Sequence, residues 1–166
     1  MGTTTFHTIW EKACGDVLGN EYNDHSQHHK IISEKTKAHW KDLKDHKSSA
    51  MRPDIVYKTK DIFYIVDAKY YTEKGIKDLG VQDIAKQYMY HQALENKDEK
   101  KEYRNIFISP GNKDKRFSEI TMPLFGNKII YSVIVKGNEL LQKYVDGKRE
   151  KEEYLLKLCN ENTIIY

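Results

Sequence analysis

Cysteine is almost missing from this chain. Only Cys14 and Cys159 occur, near opposite ends of 166 residues, which excludes a disulfide framework and fits reduced thiols in a cytoplasmic protein. Long apolar runs are missing too. The longest, Ile62 to Val66 and Ile129 to Val135, have the length of strands, so neither a signal peptide nor a membrane span is expected. Arginine is scarce, at Arg52, Arg104, Arg116 and Arg149 only. Bidentate arginine is the commonest reader of guanine, whereas lysine meets phosphate mainly as a point charge. The lysine-dominated composition therefore favours contact with a nucleic-acid backbone over base readout. A formal charge of +3, with 32% charged residues of interspersed sign, also excludes a polycation that coats DNA. No helix-turn-helix, zinc finger or other sequence-reading motif is present. His25, His28 and His29 have no cysteine pair or further histidine at finger spacing; they read as a polar loop, with no zinc. Repeats and low-complexity stretches are absent. At this length and 39% hydrophobic content the chain buries one core, so a single domain spanning 1–166 is expected.

What is present is concentrated in Met51 to Tyr71. Asp54-Ile-Val-Tyr57 is extended and apolar, Ile62-Phe-Tyr-Ile-Val-Asp67 is β-branched and aromatic, and Lys58-Thr-Lys-Asp61 has the length of a hairpin loop. In an antiparallel hairpin Asp54 enters the first strand and Asp67 leaves the second, so both carboxylates lie at one end. Asp67 and Lys69 share a face through the two-residue period of a strand. Two acids and a lysine then converge. Two carboxylates beside open water positions suit Mg²⁺, a hard cation that keeps part of its hydration shell and takes phosphate oxygen directly. Beside a scissile phosphate, the lysine ammonium can hold the attacking water and offset developing negative charge. The same residues also fit a turn at Pro53-Asp54 and an ion pair at a strand end, and a PD followed by D-x-K has many chance matches.

The next segment is helical. Val81, Ile84, Ala85, Tyr88 and Leu94 recur at helical spacing, with Gly80 just ahead of the run and Asp83 in its first turn. Asp83, Lys86, Gln87 and Tyr90 are polar for a packed face, and Lys86, Gln87 and Tyr90 are positioned to meet a DNA phosphate or the activated water. Upstream, Thr5 to Leu18 places Phe6, Ile9, Trp10, Ala13 and Val17 on one helical stripe, with Glu11 at its border. Lys30 to Met51, rich in charge around Ile31, Ile32, Trp40 and Leu43, fits either a ragged helix or a strand with a long loop. Glu95 to Arg104 reads as a charged link and Asn105 to Ser109 as a buried strand. Gly111 to Phe125 reads as a loop with Lys113, Lys115 and Arg116, and Ile129 to Val135 as a second buried strand. Glu139 to Val145 and Lys151 to Leu158 read as C-terminal helices, so that about 137–160 caps the sheet or meets another chain.

Arg52-Pro-Asp-Ile-Val56, Ile65-Val-Asp-Ala-Lys-Tyr-Tyr71 and Asp83-Ile-Ala-Lys-Gln-Tyr-Met-Tyr90 together resemble the PD-(D/E)XK nuclease superfamily. Within it they are most similar to the catalytic domain of LlaJI-type restriction endonucleases, and more distantly to FokI-like cleavage domains. Phe6-His-Thr-Ile-Trp-Glu-Lys12 and Asn105-Ile-Phe-Ile-Ser-Pro110 extend the resemblance to about Val135. Two departures stand out: Asn23 to Ser49 holds no motif that aligns, and His91 stands four residues after Gln87, where RecB-like exonucleases have tyrosine. In this superfamily a glutamate of the first helix often reaches the metal, a role the resemblance transfers to Glu11.

The expected architecture is α/β, a mixed central sheet flanked by helices with a restriction-endonuclease-like core. The expected activity is that of a Mg²⁺-dependent endodeoxyribonuclease, with Mn²⁺ able to substitute. Asp54 and Asp67 bind the metal with the Ala68 carbonyl and Glu11, Lys69 orients the water, and Gln87 with Lys86 supports the site. Arg52, Lys86 and Tyr90 contact DNA. One site per chain implies a homodimer for double-strand cleavage, with a recognition domain or NTPase subunit as a further partner. The alternatives are a structure-specific resolvase or repair nuclease of the same superfamily and a non-catalytic DNA-binding or assembly module. Recognition sequence, cut position and overhang are not legible.

Overall fold

The computed structural model describes residues 4–22, 26–38, 50–72, 75–95 and 101–160. Helix α1 (Thr4–Leu18) buries Trp10, Ala13, Cys14 and Val17, an i, i+3, i+4, i+7 stripe. Ile9 falls off that stripe and is 42% exposed, so the buried face runs through Cys14 instead. The helix stops at Gly19, whose φ of +84° is a left-handed conformation that glycine adopts without a Cβ penalty. The N–H groups of Gly19 and Asn20 turn back to the Gly15 carbonyl at 3.0 and 2.8 Å.

Five strands form one mixed sheet in the order β1-β2-β3-β5-β4. They are β1 (Ile55–Lys58), β2 (Ile62–Ala68), β3 (Glu102–Gly111), β4 (Lys115–Ile120) and β5 (Ile130–Lys136). The β2, β3 and β5 strands run parallel at the centre, while β1 and β4 pair antiparallel at the edges. Four more α-helices lie among the described residues, α2 (Gln27–Thr36), α3 (Val81–Leu94), α4 (Gly137–Val145) and α5 (Tyr154–Asn160), with short 3-10 turns at Gly75–Asp78 and Pro123–Phe125. Strand alternation sorts them onto two faces. Ile55, Tyr57, Tyr64, Val66, Ala68, Ile106 and Ile108 pack with α1, α4 and α5. Val56, Phe63 and Ile65 pack with Tyr90, Ala93 and Leu94 of α3 and Ile32 of α2, and Phe107 packs with Tyr88. A sheet covered on both faces explains why β2 and β3 are apolar at nearly every residue.

Several elements differ from the sequence-based expectation. The stretch read as a loop from Gly111 to Phe125 contains β4, an edge strand whose register shifts between Arg116 and Ser118. Its residues are mostly half-buried and polar, so no apolar alternation announces it. Strand β3 begins at Glu102 and reaches Gly111, longer at both ends than Asn105 to Ser109. His28 and His29 lie on α2, not in a loop. His29 Nδ1 is 2.9 Å from the Tyr22 hydroxyl, and the His28 ring meets the edge of Phe63. Val81, counted into the α3 stripe, is 69% exposed. His25, Trp40 and Leu43 lie outside the described residues. Leu140 of α4 and Leu155 of α5 are among the core residues. No described helix is long and apolar enough to cross a membrane.

Candidate active site

The β1–β2 hairpin pairs Ile55 with Val66, which sets Asp54 and Asp67 opposite each other one step further out. Alternation puts both on the α3 face: Asp54 with Val56, Asp67 with Phe63 and Ile65. The Ala68 N–H donates to Asp54 Oδ2 at 2.9 Å. Because the N–H and C=O of one extended residue point to the same side, the Ala68 carbonyl faces the Asp54 edge as well. The expected convergence at one end of the hairpin is therefore present.

Electrostatically the pair is under tension. Burial, then a hydrogen bond with Asp67 and the Asp67 charge, push the Asp54 carboxyl up to about 8, against the opposing Ala68 N–H. Lys69 closes the cluster from the other side, its Nζ 3.0 Å from Asp67 Oδ2 and 3.0 Å from Asp83 Oδ1. Burial works against the Lys69 charge, but the two carboxylates outweigh it and hold its pKa above the ordinary value. The Lys69 and Asp67 side chains are only 13% and 15% exposed, so these interactions are poorly screened.

The hairpin is held from outside the motif. Asn20, in the turn after α1, donates from Nδ2 to the Asp54 carbonyl at 3.0 Å and accepts the Val56 N–H at 2.9 Å. The Glu21 N–H adds a bond to the Val56 carbonyl at 2.7 Å. On the other side α3 supplies supports. Gln87 is fully buried and donates from Nε2 to the Ile65 carbonyl at 2.7 Å, with its Oε1 buried and unpartnered. The Tyr90 ring is 6% exposed, and its hydroxyl donates to the Arg52 carbonyl at 2.8 Å. Burial, then the charges of Asp67 and Asp54, raise the Tyr90 pKa, so the ring lies beside the acids. Gln87 and Tyr90 thus brace the backbone around the two aspartates and do not face solvent. Lys86 and Arg52 are exposed.

Glu11 is not gathered into the cluster. It sits on α1, across the sheet from the acids, and its carboxylate is 3.2 Å from His7 Nδ1. Its charge still reaches Asp54 as the smallest contribution to that shift. Among the described residues no three His, Cys, Asp or Glu side chains surround a common point, so the acidic side-chain donors here are the Asp54 and Asp67 pair. Two residues escaped the sequence reading of the site. Asp83 was legible as an acid one turn before Gln87 on the same helix face, a spacing that puts both toward β2. Asn20 carried no signal, since its partners are backbone groups far along the chain.

Residues 1–160 match the model of the LlaJI restriction endonuclease family. The chain is also 30% identical over 176 aligned residues to the type II restriction enzyme BsuMI component YdjA of Bacillus subtilis (strain 168). That alignment covers 96% of this chain and 37% of the relative.

Proposed function

The chain belongs to the LlaJI restriction endonuclease family, and from that membership we propose that it is a metal-dependent endodeoxyribonuclease domain of the PD-(D/E)XK type. The observation that carries the proposal is the pairing of Asp54 and Asp67 across the hairpin, with Lys69 Nζ 3.0 Å from Asp67. The donor set fits Mg²⁺, with Mn²⁺ as a substitute: two carboxylates and a backbone carbonyl are hard oxygen ligands. The crowding that raises the Asp54 pKa is the kind a divalent cation relieves. When bound, the ion supplies a Lewis acid that lowers the pKa of water and shields phosphate charge.

The chain's own residues do the rest. Asp54, Asp67 and the Ala68 carbonyl hold the ion. Lys69 presents its ammonium to the attacking water and to charge developing on the phosphate. Asp83 keeps Lys69 aimed, and Gln87 and Tyr90 keep the strand ends in place. Lys86 and Arg52, exposed near the same end, meet neighbouring phosphates. Facing acids also argue against a module freed of catalysis, because the burial and crowding that push Asp54 up to about 8 oppose folding increasingly as pH rises toward that value. Among the described residues each chain offers one such site, so cutting both strands calls for a second copy. The relative is named a component of a restriction enzyme and is much longer than this chain, which supports recognition by another segment or subunit.

A cleavage assay on supercoiled and linear duplex, single strand and four-way junction, with and without Mg²⁺, tests this reading. Metal-dependent cutting by the wild type is expected. It should vanish in Asp67→Ala and Asp54→Asn proteins that keep their circular dichroism. Wild-type nicking by either folded variant would remove the assignment, and exclusive cutting of junctions would favour a structure-specific nuclease.

A further inference from the structure

The sheet end that carries Lys69 opens on its other face into an aromatic cleft that hydrolysis does not use. Tyr70 follows Lys69 directly, so their Cα atoms are about 3.8 Å apart, yet the side chains diverge. Lys69 reaches Asp83 on α3. Tyr70 lies against α1, its ring centroid 4.7 Å from Phe6 and 6.3 Å from Trp10. The space they line with Leu141, Asn112 and Asn138 has a volume of about 300 Å³, at the small end of ligand pockets. Trp10 is fully buried and its indole N–H donates to the Ile108 carbonyl at 3.4 Å, which fixes the floor. Tyr70 and its neighbour Tyr71 are 41% and 38% exposed. A fixed floor, two part-exposed tyrosines and two side-chain amides suit a planar ligand with a polar edge.

We propose that this cleft takes one unpaired nucleobase of the DNA strand whose phosphate lies at Lys69. The base stacks on Tyr70 and Phe6 while the Asn112 and Asn138 amides meet its hydrogen-bonding edge. The inference rests on the nuclease reading above, since a phosphate at Lys69 is what brings a base within reach of the residue next to it. Every base has a π-face, so the contact is tolerant of sequence. It favours strands with an unstacked nucleotide beside the cut: bulges, frayed ends and single strands.

Binding by fluorescence anisotropy in Ca²⁺, used as a non-catalytic ion, tests it on two duplexes. One carries a single bulged nucleotide and the other the same bulge without its base. The wild-type chain should bind the base-bearing bulge about 5- to 150-fold more tightly than the abasic one, the range that stacking on one aromatic ring supplies. Tyr70→Ala should erase the difference and Tyr70→Phe should keep it. Equal affinity of the wild type for the two bulges, or an undiminished difference in Tyr70→Ala, overturns the proposal. Mg²⁺-dependent cleavage of a fully paired duplex, compared with Asp67→Asn, is read alongside. Cleavage that depends on Asp67 without base-dependent binding removes the cleft and leaves the nuclease. Base-dependent binding without any cleavage supports the cleft and removes the hydrolytic reading.

Discussion

Asp54 is a residue whose chemistry departs far from that of an isolated side chain. Its carboxyl titrates near 8 in the fold, against about 3.9 in an unfolded chain. The folded state therefore binds a proton that the unfolded state releases. This contribution to stability is fully present below about pH 4 and is lost as pH rises through about 8. In EDTA the melting temperature of the wild type should fall over that window more than that of Asp54→Asn. The asparagine can still accept the Ala68 N–H, donates to Asp67, and removes the repulsion. At pH 8 without divalent ions, Asp54→Asn should be the more stable protein by on the order of 1–3 kcal/mol; a less stable variant would mean that the pair does not repel. Lys69 gives a second test at this scale. Lys69→Ala should slow cleavage by about two orders of magnitude, the effect of one lost electrostatic stabiliser. Ca²⁺ affinity by calorimetry should not fall, because the ammonium competes with the ion for Asp67. Asp83→Asn, which leaves Lys69 in place but loosely aimed, should cost about tenfold in rate, and restoration by Asp83→Glu would separate aiming from folding.

At the scale of elements, the hairpin, α3 and the central strands were legible because their local pattern agrees with their tertiary setting. Asp54 and Asp67 could be placed together from sequence, since a short loop and strand periodicity determine which end each acid occupies. What escaped depends on contacts between distant elements. Strand β4 is written Lys115-Arg-Phe-Ser-Glu-Ile120 and gains its pairing from β5 alone. Helix α2 holds its place through Ile32 against α3, in a stretch whose charge hides one buried stripe. Glu11 looked available because helix position says nothing about where its side chain turns, and its carboxylate pairs with His7 on the same helix. The junction of β3 and α4 shows such a distant contact. A Cβ on Gly137 would lie 2.9 Å from Pro110 Cβ, closer than carbon atoms tolerate, and Pro110 is held in the β3 ladder beside β5. Gly137→Ala should therefore destabilise the fold by about 1–3 kcal/mol, read as a lower urea midpoint with an unchanged slope. No loss of stability would show that α4 can slide away from β3.

For the whole molecule, the charge distribution bears on how DNA is held. The net charge is +3 and arginine occurs at only four positions. Arg104 lies 2.6 Å from Glu102, and Arg116 reaches Glu119 and the Cys159 carbonyl at 2.6 and 2.9 Å. Lysine and phosphate should therefore dominate the encounter. Such contacts release condensed counterions, and each neutralised phosphate contributes roughly −0.9 to the slope of log affinity against log salt. The isolated 166-residue chain is expected to bind duplex DNA weakly, without sequence preference, and with an affinity that falls steeply between 50 and 200 mM salt, about the range over which such contacts are lost. Lys86→Ala should flatten that slope by about one phosphate while weakening all sequences alike. The aromatic cleft adds affinity where a base is unpaired, and because stacking is not a charge interaction, that increment should persist as salt rises. Titrations of random and candidate-site duplexes across salt concentrations check the expectation. A defined footprint by this chain at physiological salt would place base readout inside it, in the 111–125 stretch or in 23–49, and would defeat the separation of cutting from recognition.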